Sequence, residues 1–166
     1  MPKSLLDLIN KPDREKLEAV NQFFNSRTRY ASDFEVWGVS EYWATPNEFL
    51  ERKAGDCEDY AIAKYFALIR SGMTDDVLRI VYGRLVTFRE PHMVLYYLGA
   101  PVLVLDNVVD KILTEQERSD LVPILAFNRS GLWTFKRGKM ELTSKNSKRL
   151  SKWRELQERV NVEIPV

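Results

Sequence analysis

Cysteine and histidine are almost missing from this chain: its 166 residues hold one of each, Cys57 and His92. A single cysteine excludes an internal disulfide, and one Cys with one His excludes the usual structural zinc sets. Charge of one sign is also lacking. With 25 Lys and Arg against 24 Asp and Glu, no strong net field draws the chain to nucleic acid or anionic lipid. No apolar run approaches the roughly 18 residues that a membrane-spanning helix needs. The opening Met1-Pro2-Lys3-Ser4-Leu5-Leu6-Asp7 lacks the apolar core of a signal peptide. The expectation is either a cytoplasmic protein or a chain already trimmed of its leader. Internal repeats, low-complexity tracts and Gly/Ser linkers are absent as well. Residues 1–166 are therefore expected to form one domain, large enough for a proper core.

What the chain does have is a change of hydrophobic period. Pro12-Asp13 opens a helix with Leu17, Val20 and Phe24 on one face, ending near Tyr30. Residues 31–44 read as an ordered loop anchored by aromatics. Thr45-Pro46-Asn47-Glu48 is a capping box with proline at the first helical position. Beyond Gly72 the pattern becomes strand-like over Leu78–Phe88, His92–Leu98 and Val102–Asp106, with a turn at Gly99-Ala100. Thr114–Asp120 predicts a short helix, Pro123–Phe127 with Leu132–Phe135 a hairpin, and Ser147–Val160 a helix turning Leu150, Trp153, Leu156 and Val160 inward. Helices first and an antiparallel sheet after predict an α+β domain. The basic residues Lys136, Arg137, Lys139, Lys145, Lys148, Arg149, Lys152 and Arg154 are diluted by Glu141, Glu155 and Glu158. They read as a solvated face rather than a nucleic-acid surface.

The chemistry concentrates around the lone cysteine. Gly55 stops the preceding helix, Asp56 suits an N-cap, and Ala61, Ile62, Tyr65, Phe66 and Ile69 recur at helical spacing. Cys57 thus falls in the first turn of a helix, where unpaired N–H groups and the dipole favour a thiolate. Free cysteine is most often a buried packing residue. Here, however, its neighbours are Asp56, Glu58 and Asp59, which predict a wet helix end. A nucleophilic cysteine needs a base and a group to orient it. His92 begins a strand, and Asp106 ends the next one. A three-residue turn Leu98-Gly99-Ala100 would set Tyr97 opposite Pro101 and His92 opposite Asp106, on one face. An even-length turn would put Asp106 on the wrong face. Trp37, Tyr42 and Trp43 are candidates for a substrate cleft, and Asp110 is the fallback for the third group.

Gly55-Asp56-Cys57-Glu58-Asp59-Tyr60-Ala61, Pro91-His92-Met93-Val94-Leu95 and Leu103-Val104-Leu105-Asp106-Asn107 together resemble the bacterial transglutaminase-like cysteine proteinases. The resemblance runs from about Trp43 to Trp133. It implies a papain-like, transglutaminase-like fold, with the Cys helix packed on an antiparallel β-sheet that carries His and Asp. It implies Cys57 as nucleophile, His92 as general base and Asp106 as orienting acid. Members of the family include calcium-dependent periplasmic proteases that release biofilm adhesins. For this chain the resemblance therefore implies Ca²⁺ bound through Asp56 and Glu58, a large surface adhesin as substrate and a periplasmic location. It also implies an inner-membrane regulatory receptor that sequesters the protease. Two carboxylates beside a thiol oppose its ionisation, and a bound Ca²⁺ would cancel that repulsion. A transglutaminase or amidase with the same three residues, and a non-catalytic binding module of the same fold, are the alternative functions.

Overall fold

The computed structural model describes residues 3–163. Its helices are α1 (Lys3–Leu6), α2 (Asp13–Arg27), α3 (Asp33–Trp37), α4 (Pro46–Arg52), α5 (Cys57–Arg70) and α6 (Ser151–Glu163). Its strands are β1 (Arg29–Tyr30), β2 (Ala54–Gly55), β3 (Leu78–Leu85), β4 (Glu90–Tyr97), β5 (Leu103–Leu105), β6 (Leu113–Thr114), β7 (Leu121–Asn128), β8 (Gly131–Lys136) and β9 (Lys139–Ser144). The last seven strands form one antiparallel sheet in the order β6-β5-β4-β3-β7-β8-β9. No helix among the described residues is long and apolar enough to cross a membrane.

Helix α5 organises the rest. Between Tyr60 and Leu68 every residue is buried, because α5 is covered on all sides by the sheet, α2 and α4. One face of the sheet supplies Leu78, Ile80, Met93, Leu95, Leu103, Leu105 and Phe127 to this core. Trp153 and Leu156 of α6 close it, with the Trp153 indole N–H donating to the Asn128 carbonyl at 3.1 Å. The alternate residues Val81, Val94, Tyr96, Val104 and Ala126 build a smaller cluster on the opposite face. Period-two alternation with both faces buried explains why these strands read as nearly continuous apolar runs.

Two glycines are fixed by close approach. Gly83 sits where the β3–β7 register shifts, and a Cβ there would lie 2.5 Å from the Val122 carbonyl oxygen. A Cβ on Gly55 would lie 2.5 Å from Asp59 Oδ2 and 2.8 Å from the Phe49 ring. Only glycine lets the chain enter α5 at that point.

The structure corrects several element boundaries. The stretch read as a loop contains α3, capped by Ser32, whose hydroxyl accepts from the Glu35 N–H. Thr114 and Glu117 do bond each other's N–H groups (both 3.1 Å), yet they frame one turn of 3₁₀ helix, Gln116–Arg118, rather than an α-helix. Strands β6 and β9 are additions, since their alternating polar and apolar residues give only a weak apolar signal. The eight basic residues from Lys136 to Arg154 are all exposed.

Candidate active site

Strands β1 and β2 pair in parallel, Arg29 with Ala54 and Tyr30 with Gly55, and the Ala31 N–H donates to the Gly55 carbonyl at 2.8 Å. The pairing sets Tyr30 and the start of α3 beside the start of α5. Asp56 occupies the N-cap position in extended conformation. The buried Asp59 carboxylate accepts from the Asp56 N–H (3.1 Å) and the Ala44 N–H (3.0 Å), tying the helix start to the aromatic loop. Burial raises Asp59 to about 7, against the lowering effect of those two N–H groups.

The β4–β5 loop has an odd length, but not the expected one. Tyr97 faces Leu103 rather than Pro101, so the loop is Leu98–Val102 and Asp106 lies just beyond β5. The parity survives the error. Extended to Asp106, the register puts its side chain on the row of His92, Val94 and Tyr96, diagonal to His92 instead of opposite. The imidazole spans that diagonal: His92 Nε2 lies 2.7 Å from Asp106 Oδ1. His92 is also paired with Gly83 across β3, a position with no side chain to crowd the ring.

Cys57 reaches the same place from the other layer. The Leu98 N–H donates to the Val77 carbonyl, so even-numbered residues of β4 direct their N–H toward β3 and odd-numbered ones toward β5. Pairing with β5 stops at Leu95–Leu105, which leaves the Met93 N–H without a strand partner. That N–H lies near the Cys57 sulfur and favours its ionised form. The helix start thus occupies the edge that β5 vacates, one residue from His92. Cys57 and His92 line one open cleft of about 710 Å³ together with Tyr30, Phe88, Val108 and Asp120.

Electrostatics at the sulfur run against a bare thiolate. Burial first, and then the charge of Glu58, push the Cys57 thiol up; Asp56 adds to this, and only the Met93 N–H lowers it. The thiol donates to Glu58 Oε2 at 3.4 Å. The expectation that the helix start alone favours thiolate is therefore overturned by burial and then by the acidic neighbours. Asp106 shows the opposite outcome. Burial pushes its carboxyl up, but the His92 and Arg118 bonds more than offset this and hold it below the usual carboxylate range. Arg118 Nη1 donates to Asp106 Oδ2 at 2.8 Å. Asp110 is engaged elsewhere, accepting from Asn25 Nδ2 at 3.1 Å.

The acidic residues at the helix start form a cation-sized cluster. Asp33, Asp56 and Glu58 each bring an oxygen within 4.8 Å of the others. Burial, then hydrogen bonding to Glu58 and its charge, raise Asp56 to about 11, and Oδ1 of both Asp33 and Asp56 is buried without a partner. Crowded carboxylates with orphaned oxygens fit a hard cation that takes oxygen ligands. Asp33 was not legible from sequence, because its place depends on the two-residue β1–β2 pairing. Nor did Arg118 stand out in a segment that reads as a short helix. Trp37 and Tyr42 pack against one another at a tilt (4.3 Å), and Trp43 stacks on Phe127 (5.9 Å). None of the three lines the cleft that holds Cys57 and His92.

The family model of the bacterial transglutaminase-like cysteine proteinases matches residues 6–121. Solved structures of Legionella pneumophila LapG are similar. The EGTA-treated form shares 40% identity over 94% of this chain and 84% of its own, with a TM-score of 0.81. The calcium-bound form shares 40% identity over 95% and 86%, with a TM-score of 0.79. A protein from Cytophaga hutchinsonii, at 16% identity over 87% of this chain and 50% of its own, has a TM-score of 0.54 and shares the fold alone. Comparison with curated proteins finds no match. The α+β fold, the family model and the LapG structures agree: the chain belongs to the bacterial transglutaminase-like cysteine proteinases and is a cysteine protease.

Proposed function

We propose that the chain is an endopeptidase in which Cys57 is the nucleophile, His92 the general base and Asp106 the group that orients the imidazole. The observation that carries this reading is the 2.7 Å contact of His92 Nε2 with Asp106, which leaves Nδ1 free in the cleft shared with Cys57. Nε2 holds the proton in that bond, so Nδ1 is basic. In the reaction Nδ1 takes the thiol proton as Cys57 Sγ adds to the scissile carbonyl. The Cys57 N–H, first in α5 and without an intrahelical acceptor, is placed to hold the oxyanion. His92 then passes its proton to the leaving amine as the C–N bond breaks, and a thioester remains. Water, deprotonated by the same nitrogen, attacks the thioester and releases the acid and the thiol.

Asp56 and Glu58, with Asp33 as a third carboxylate, would hold Ca²⁺ at the start of α5. The ion would supply positive charge next to the thiol. Glu58 accepts the thiol hydrogen bond, and a cation sharing its carboxylate would weaken that acceptance and favour transfer of the thiol proton to His92. The calcium-bound LapG structure supports this assignment.

The substrate in this reading is a large cell-surface adhesin, cut near its N-terminal region in the periplasm to control biofilm attachment. An inner-membrane receptor would sequester the protease. Both follow from the family resemblance over Trp43–Trp133. The test is digestion of a panel of adhesin N-terminal fragments with Ca²⁺ and with chelator. Cys57→Ala is expected to abolish cleavage and leave the circular dichroism spectrum unchanged. Full activity in that variant would end the proposal, and activity indifferent to chelator would remove calcium from it.

A further inference from the structure

We propose that Arg118 is a positioning residue for the reaction, fixing the Asp106 carboxylate by bridging it to Asp120. The inference rests on the Cys57, His92 and Asp106 roles proposed above. Arg118 is 4% exposed and Asp106 is 2% exposed. Arg118 Nη1 donates to Asp106 Oδ2 at 2.8 Å, while Nε and Nη2 fork onto the two oxygens of Asp120 at 3.0 and 3.1 Å. The guanidinium is a rigid plane. Anchoring two of its donors on Asp120 therefore fixes where the third one points.

The consequence falls on the other oxygen of Asp106. With Oδ2 assigned to Arg118, Oδ1 is left for His92 Nε2 and the Val108 N–H at 3.2 Å. The main chain of Asp106 is held separately, its carbonyl accepting from Asn25 Nδ2 (2.8 Å) and Lys64 Nζ (3.2 Å). The titratable and charged groups facing Asp106 are thus His92 from β4, Arg118 from the turn 116–118, Asp120 beyond it and Lys64 from α5, with Asp110 farther along its own loop. Lys64 bonds the carbonyl alone, so Arg118 is the cation that sets the carboxylate plane. Stability alone explains this pair poorly. Burying a guanidinium and a carboxylate costs several kcal/mol of desolvation, which their attraction rarely exceeds. The outer anchor, Asp120, also lines the cleft instead of the core.

The test compares wild type, Arg118→Gln and Arg118→Lys in kcat, in KM and in the proton spectrum of the chain's one histidine. Arg118→Gln is expected to lower kcat about 10- to 100-fold, the equivalent of one charged hydrogen bond, with KM within twofold. The low-field resonance of the His92 Nε2 proton should be lost with it. Arg118→Lys keeps the charge without the fork and should recover part of both. A folded Arg118→Gln protein with wild-type kcat and an unchanged His92 resonance overturns the proposal. If Arg118→Gln does not fold, Asp120→Asn replaces it. That variant leaves one acceptor oxygen for the two donors and keeps the buried cation, so kcat should fall at least about fivefold; an unchanged kcat again overturns the proposal. If Cys57→Ala retains full activity, the underlying assignment has failed instead.

Discussion

Replacing Asp106 with Asn exchanges one acceptor oxygen for an NH₂ group among three partners. The Asp106 side chain is fully buried and accepts from His92, Arg118 and the Val108 N–H. An amide has a single acceptor oxygen, so either Arg118 faces an NH₂ group, donor against donor, or His92 does and must move its proton from Nε2 to Nδ1. Removing one partner of a buried ion pair costs about 3–5 kcal/mol, because the other charge is left uncompensated. A protein of this size has about 5–15 kcal/mol of stability in total, so the variant should still fold at 25 °C. At roughly 2–4 °C per kcal/mol, its Tm should drop by about 6–20 °C. Thermal and urea unfolding at neutral pH measure this directly. The pH dependence supplies an independent check. The Asp106 carboxyl is held below its ordinary value in the fold, so its contribution is fully present above the unfolded value near 4 and is lost as pH falls through the folded value. The gap between wild type and Asp106→Asn should therefore narrow below about pH 4. A loss under about 1 kcal/mol at pH 7, or a gap that does not change with acid, would refute the reasoning.

Two further perturbations follow from the helix start. Asp33→Asn should weaken Ca²⁺ binding by calorimetry about tenfold or more, since one anionic ligand and its charge are removed; unchanged affinity would take Asp33 out of the site. Gly55→Ala should destabilise by about 1–3 kcal/mol, because the new methyl collides with the Asp59 carboxylate and the Phe49 ring. Urea denaturation measures it, and a neutral effect would show that α5 can be entered another way.

Much of this architecture was legible because local signals agreed with the global fold. The Thr45 cap, the helical spacing after Cys57 and the period-two strands each point to the element that forms. Parity carried the His92–Asp106 contact even though the loop between their strands was misjudged by two residues. A β-strand offers only two faces, so an odd-length loop of either size keeps both side chains on one row. What escaped reading depends on contacts distant in sequence. Asp33 reaches Asp56 through two residues of parallel pairing. Arg118 sits in a single 3₁₀ turn and is buried where it bonds Asp106. Tyr30, Phe88 and Val108 are apolar residues at the cleft, and nothing in their local sequence distinguishes them from ordinary surface positions.

The most direct measurement is the rate at which iodoacetamide alkylates Cys57, the one thiol in the chain, at pH 6 in calcium-loaded protein. Wild type should react much faster than free cysteine, His92→Ala should fall to the free-thiol rate, and chelator should slow wild type toward it. Equal rates in wild type and His92→Ala would show that sulfur and imidazole do not act together, and would contradict the account.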